Sequence, residues 1–204
     1  MLEHEAFMPV VQAKVMNRKL SVELYGQLMY GKMINRTASV DGVLKSNPYF
    51  EEVLNSFDHY RNLYDLIGYE LVMRDGFAFI RTSDGTDAKD DLARNIQGLL
   101  LVLFRGALEL GFTMDVLLND SAGLSNTHIE EIGRGEDKVE VLMACGMKSG
   151  VLMEHIKKLE TRAIAYRNGK GNLVLSESGA AFFNDLGFYP VSTDGYKTAV
   201  SFRS

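Results

Sequence analysis

The sequence is poor in the features that usually announce an enzyme, a secreted protein or a membrane protein. It holds one cysteine, Cys145, in 204 residues, which excludes an intramolecular disulfide and any thiolate metal cluster. Such a chain suits a reducing compartment. The setting of Cys145, after the apolar run Val141-Leu142-Met143-Ala144, predicts a small buried hydrophobe. Prolines number three, which leaves room for long helices. The longest apolar run, Leu99 to Phe104, is far shorter than the roughly 20 residues that a bilayer-spanning helix needs. At the start of the chain Glu3 and Glu5 stand where a secretory signal needs basic residues, and no apolar stretch follows them. These absences predict a soluble cytoplasmic protein that makes no membrane contact.

Catalytic signatures are missing too. No Gly-x-x-x-x-Gly-Lys-[Ser/Thr] loop occurs, and Gly169-Lys170-Gly171 reads as a hairpin tip with no helix behind it. The histidines His4, His59, His128 and His155 are scattered, none with a second ligand at metal spacing. There is no Gly-x-Ser-x-Gly elbow and no Cys/His pair. The carboxylates fall on the polar faces of helical patterns, where they serve solubility. The expectation is a non-enzymatic protein with no catalytic residue, no cofactor and no metal.

What is present describes a folded chain. Hydrophobic residues make up 46% and charged residues 24%, close to the average for globular proteins. The length can bury one large core or two small ones. The formal net charge is −5, which disfavours tight nucleic-acid binding by the surface as a whole. The charge is uneven, however. Between Lys148 and Lys170 six basic residues face two acidic ones, a net of +4 that leaves −9 for the rest of the chain.

Periodicity then organises the chain. Residues 1–20 read as a loose N-terminal arm. A helix opens at Ser21 with Leu24, Tyr25, Leu28 and Met29 as its apolar stripe. A second, longer helix starts at Asn47-Pro48 and carries Phe50, Val53, Leu54, Phe57, Tyr60, Tyr64 and Ile67 inward, ending at Gly68. Asp75-Gly76 between two β-rich runs predicts a hairpin with a two-residue turn. Its register pairs Arg74 with Phe77, Val72 with Phe79, Glu70 with Arg81, Met73 with Ala78 and Leu71 with Ile80. The Leu71–Ile80 face is core, whereas the Val72, Phe77 and Phe79 face is apolar enough to need a cover of its own. Residues 83–90 are polar and turn-prone, a linker. Leu92–Leu110 is a helix apolar on nearly every side, expected to lie between domains or in a dimer interface. Short helices are expected over Thr127–Ile132 and Lys138–Ala144. A helix from Ser149 to Thr161 leads into a second hairpin, Ala163–Arg167 and Asn172–Ser176, and a last helix covers Ser178–Leu186.

Helices, then one helix leading straight into a hairpin, occur twice, with Leu66 and Leu159 each eight residues before the turn strings Arg74-Asp75-Gly76 and Arg167-Asn168-Gly169. The expected fold is mainly α with short β-hairpins (α+β), as tandem winged-helix domains. The first domain spans 21–85 and the second 86–190, followed by a tail over 191–204.

The string Tyr69-Glu-Leu-Val-Met-Arg-Asp-Gly-Phe-Ala-Phe-Ile-Arg, the apolar helix Gly98-Leu-Leu-Leu-Val-Leu-Phe, and Leu152…Ile156-Lys-Lys-Leu159 running into Leu173-Val-Leu-Ser-Glu-Ser together resemble the MukE/MksE subunits of bacterial Muk-type condensins. The likeness covers roughly residues 20–188, and the missing acidic C-terminal extension favours the shorter MksE form. The resemblance implies a non-enzymatic, homodimeric subunit that binds a kleisin (MukF/MksF-like). Through the kleisin it would join an SMC-type ATPase (MukB/MksB-like) in chromosome condensation and segregation at the nucleoid. It supplies no catalytic residues.

Two surfaces follow from the residues themselves. In a winged-helix DNA reader the helix before the wing enters the groove. The first such helix carries Glu51, Glu52, Asp58 and Asp65 against Arg61 and would repel phosphates, so that domain reads as a protein-binding module. The second offers Lys148, Lys157, Lys158, Arg162, Arg167 and Lys170 for weak contact with DNA without sequence readout. Val72, Phe77 and Phe79 on the first wing, with Leu99 and Leu103 on the apolar helix, are the candidates for a protein interface. The alternative function is a free-standing winged-helix transcription regulator, which would bind DNA tightly and selectively by itself.

Overall fold

The computed structural model describes residues 17–83, 90–147 and 152–187. The arm over 1–16, residues 84–89 of the linker, Lys148 and the tail 191–204 lie outside the described residues.

Helix α1 (Arg18–Met29) begins ahead of the expected Ser21 because Asn17 caps it, its side chain accepting from the amides of Lys19 and Leu20. Ser21 has another role: its hydroxyl lies 2.8 Å from that of Tyr60. Leu24 and Leu28 are buried, while Tyr25 and Met29, expected inside, face solvent. A short strand β1 (Ile34–Asn35) follows, then a hairpin of β2 (Thr37–Val40) and β3 (Val43–Ser46) that the sequence reading does not include. It turns at Asp41-Gly42, both at positive φ (53° and 75°), the conformation of a tight two-residue turn.

The expected long helix over 48–67 is two helices. Asn47 caps α2 (Pro48–Asn55) with Pro48 in its first turn, as read from the sequence. At Ser56 the backbone leaves the helical region (φ −132°, ψ 31°), and α3 (Phe57–Asp65) sets off anew. This re-aiming buries Tyr60 and Tyr64 and leaves Leu54 and Ile67 exposed, although a straight helix would turn all four inward. Strands β4 (Tyr69–Arg74) and β5 (Phe77–Thr82) pair in the register set by Asp75-Gly76, and β1 adds to give the order β1-β5-β4. The anticipated Glu70–Arg81 ion pair is made at 2.6 Å.

The second half contains α4 (Asp90–Glu109), α5 (Asp115–Leu118), α6 (Asn126–Ile132), α7 (Glu136–Ala144), α8 (Leu152–Thr161), β6 (Ala165–Arg167), β7 (Leu173–Leu175) and α9 (Glu177–Asp185). Ser125 caps α6, in a reciprocal capping box with His128. Leu124 bridges to Leu173, occupying beside β7 the place that β1 occupies beside β5. The chain is therefore α+β, helical with small antiparallel sheets.

Helix α4 corrects the expectation of a helix without a wet face. Arg94, Gln97, Arg105 and Glu109 are exposed along one side, while Leu99, Leu100, Val102 and Leu103 are fully enclosed by α6, α7 and α8 within the second half. Close approach depends on two glycines. A Cβ on Gly98 would stand 2.5 Å from the Cys145 sulfur, and one on Gly106 would stand 2.4 Å from Ile132. Cys145 is accordingly half-buried against α4 rather than fully enclosed.

The described residues hold two clusters of buried apolar side chains. One is built from residues 24–78 and the other from residues 96–183. A seam of hydrogen bonds joins them. The Asn35 amide donates to the Ala163 carbonyl at 2.6 Å, and its oxygen accepts from the Ser178 amide at 2.9 Å. Thr37 donates twice to Glu177, through its amide and its hydroxyl. The backbone amide of Met33 donates to the Arg162 carbonyl. Arg74 grips Asp185 through two hydrogen bonds of 2.7 and 3.1 Å. Asn35 and Ser178 are buried in this seam and each is satisfied there, as buried polar groups must be.

Candidate functional site

The first ribbon shows what covers its apolar outer face. Phe182 of α9 meets both Phe77 and Phe79 edge-on, with ring centroids 5.6 and 6.5 Å apart. Phe77 is thereby fully buried, whereas Val72 and Phe79 stay half-buried. Of the five interface candidates, Phe77, Leu99 and Leu103 are thus interior residues: Phe77 is closed over by α9, and the two leucines lie in the second core at 0% exposure. Phe79 and Val72 alone retain accessible surface.

Above Phe79 the two halves leave a cleft of about 510 Å³. Its apolar wall comes from Met33, Phe79, Ile80, Ile96 and Phe182, with Met29 and Tyr30 at the rim. Tyr30 is 86% exposed and Met29 39%, an unusual placement for two large apolar side chains beside an apolar cavity. The sequence reading names none of Met29, Tyr30, Met33 or Phe182 as functional. The hint was Phe182-Phe183 in the last helix, where adjacent aromatics project about 100° apart: Phe183 goes into the second core, while Phe182 lies at that core's edge and reaches the first ribbon.

The cleft also contains a charge. Arg162, grouped by sequence with the DNA-contact lysines, is half-buried, and its Nη1 donates to the Gly31 carbonyl at 3.1 Å. Burial lowers its pKa from the ordinary arginine value. It takes part in no ion pair among the described residues.

The other expected cations separate into two sets. Lys157 and Lys158 are exposed on α8. Arg167 is committed within the protein: it pairs with Glu160 at 2.6 Å and donates to Asn126 and to the Gly171 carbonyl. Lys170 donates to the Ser121 carbonyl at 2.9 Å. The tip of the second ribbon is built on Asn168, buried, whose amide donates to the carbonyls of Asp120 and Ala122 and whose oxygen accepts from the amides of Lys170 and Asn172. The basic candidates do not form one continuous patch. Arg162 and Arg167 serve internal contacts, while among the described candidates Lys157, Lys158 and Lys170 are exposed.

Among the described residues no cluster of His, Cys, Asp and Glu could hold a metal, and no helix is long and apolar enough to cross a membrane. No curated protein matches the chain. The family model for the condensin complex protein MksE does match, over residues 19–186, from the first turn of α1 through the C-cap of α9. With the match spanning both halves and the seam between them, the chain belongs to the MksE family of condensin complex proteins.

Proposed function

We propose that this chain is a non-enzymatic accessory subunit of a bacterial SMC/condensin-type complex, acting in chromosome condensation and segregation. In this reading it binds a kleisin as a homodimer and reaches an SMC-type ATPase through that kleisin, in the cytoplasm at the nucleoid. ATP turnover belongs to the ATPase. The observation that carries the reading is the MksE match across both halves of the chain. The helix-into-ribbon order of each half supports two winged-helix modules with their boundary near residues 83–90. The half-buried Val72 and Phe79 are the ribbon residues left to meet a partner.

DNA contact, in the same reading, is weak and blind to sequence. With Arg167 committed to Glu160 and Arg162 drawn into the cleft, Lys157 and Lys158 are the principal contacts, so the slope of log K against log salt is about two units in magnitude. Co-expression with a MukF/MksF-like kleisin from the same genome, followed by light scattering on the eluted complex, tests the main claim. A stable complex containing two copies of this chain is expected; separate elution of the two proteins overturns it. Anisotropy titrations of several duplexes at two salt concentrations test the second. Lys157→Glu with Lys158→Glu should abolish the residual binding and leave kleisin association unchanged. Tight binding that discriminates among duplexes would reject the condensin reading in favour of a transcription regulator.

A further inference from the structure

The geometry points to the cleft between the two halves as a docking site for an extended peptide of a partner protein, one that presents a carboxylate between apolar side chains. The inference rests on the reading of the chain as a partner-binding subunit and adds to it the place and chemistry of one contact. At about 510 Å³ the cleft falls within the range of pockets that enclose small ligands, enough for a few side chains of a peptide. Met33, Phe79, Ile96 and Phe182 supply an apolar wall, and exposed Met29 and Tyr30 extend it outward along the rim.

Charge selects the occupant. Three charged residues other than Arg162 line the cleft. Arg81 is neutralised by Glu70, and Asp185 by the two hydrogen bonds from Arg74. Arg162 and Lys32 remain, both positive and neither in an ion pair among the described residues. A half-buried guanidinium without a counter-ion is costly, and a carboxylate brought to it removes that cost. Arg162 spends one of its N–H donors on Gly31, so the others are available to take a carboxylate by two parallel bonds. An apolar peptide lacking the acid would fill the same volume and leave the charge uncompensated.

The test begins with panning of a random dodecapeptide display library on the full chain, followed by anisotropy titration of the best labelled peptide and its Asp→Asn or Glu→Gln counterpart. Enriched peptides should carry an acidic residue between apolar ones, and the neutral counterpart should bind about tenfold more weakly, about 1.4 kcal/mol. Arg162→Gln keeps a donor for Gly31 and removes the charge. It should cost the acidic peptide the same tenfold and leave the neutral one unchanged, and Tyr30→Ala at the rim should weaken both. Peptides with no acidic preference, or equal binding to wild type and Arg162→Gln, would overturn the inference. So would a benzophenone side chain installed at Tyr30 that cross-links, in the free protein, to the chain's own residues 188–204, since that would give the cleft to its own tail. Kleisin binding separates the two proposals. A kleisin that binds wild type and Arg162→Gln equally well sinks the cleft assignment alone. A kleisin that fails to bind wild type sinks the subunit reading, while the peptide titrations still decide the cleft.

Discussion

The two β-ribbons of this protein have the same place in the order of elements but are held in different ways. The first, β4–β5, is six residues per strand with a two-residue turn, and one of its faces packs on its own helices. Its other face is closed by α9, a helix from the opposite half, through Phe182 and the Arg74–Asp185 pair. The second, β6–β7, is three residues per strand, and its longer loop is fastened to residues 120–122 of its own half by the Asn168 side chain. A ribbon whose outer face is covered from across the molecule ties the halves together. The second ribbon is anchored chiefly at home, and the first half reaches it through smaller contacts: Ser39 donates to the Arg167 carbonyl at 3.1 Å and Gly42 packs against Gly169.

Three substitutions would break or sharpen that contrast. Gly179→Ala should have the largest effect, because a Cβ there would stand 2.1 Å from the Ile164 carbonyl oxygen. Backbone cannot yield as a side chain can, so a loss of about 3 kcal/mol in urea unfolding is expected, at the upper end for overpacking. Since α9 covers the first ribbon, amide exchange should accelerate in β4–β5 as well as in the second half. Asn168→Ala comes next. It strands two carbonyls and two amides near a buried tip, for about 2 kcal/mol, and its faster exchange should stay within β6–β7 and residues 120–124. If it loosened β4–β5 equally, the two ribbons would not be independently held. Arg74→Ala is the smallest. The ion pair with Asp185 is half-exposed, so less than about 1 kcal/mol is expected at neutral pH. The hydrogen bond from Arg74 lowers the Asp185 pKa below the ordinary 3.8. The contribution is therefore complete above that value and is lost as the pH falls through the lowered one. Wild type and Arg74→Ala should converge in stability at strongly acid pH and differ at pH 7.

Much of the fold was legible because its strongest signals are local. Asp75-Gly76 marked a two-residue turn, and every pair of the β4–β5 register followed from it. Asp41-Gly42 carries the same signal between Val40 and Val43 and marks the β2–β3 hairpin, but its flanking strands, Thr37–Val40 and Val43–Ser46, have little apolar alternation to draw attention. The break at Ser56 was hidden by an apolar stripe that continues at helical spacing across it. Leu66 and Leu159, matched in sequence by their distance from the turns, part company in space: Leu66 is 83% exposed after α3 and Leu159 is buried in α8. The candidate site was less legible. Composition marks a positive window, yet whether a cation faces solvent or its own backbone depends on distant residues. Gly31 claims Arg162 and Glu160 claims Arg167, and neither acceptor stands out in the sequence.

The Ala163 carbonyl accepts from Asn35, Ser176 and Ser178 together, while Ala163 itself sits in the left-handed region at φ 55°. Three side chains from two distant stretches of the chain converge on one oxygen, and that meeting point ties the halves together. Severing the chain near residues 84–89 would therefore not release two working modules. Each fragment would surface an aromatic that now faces the other, Phe77 on one and Phe182 on the other, and the pair would sooner clump than fold apart.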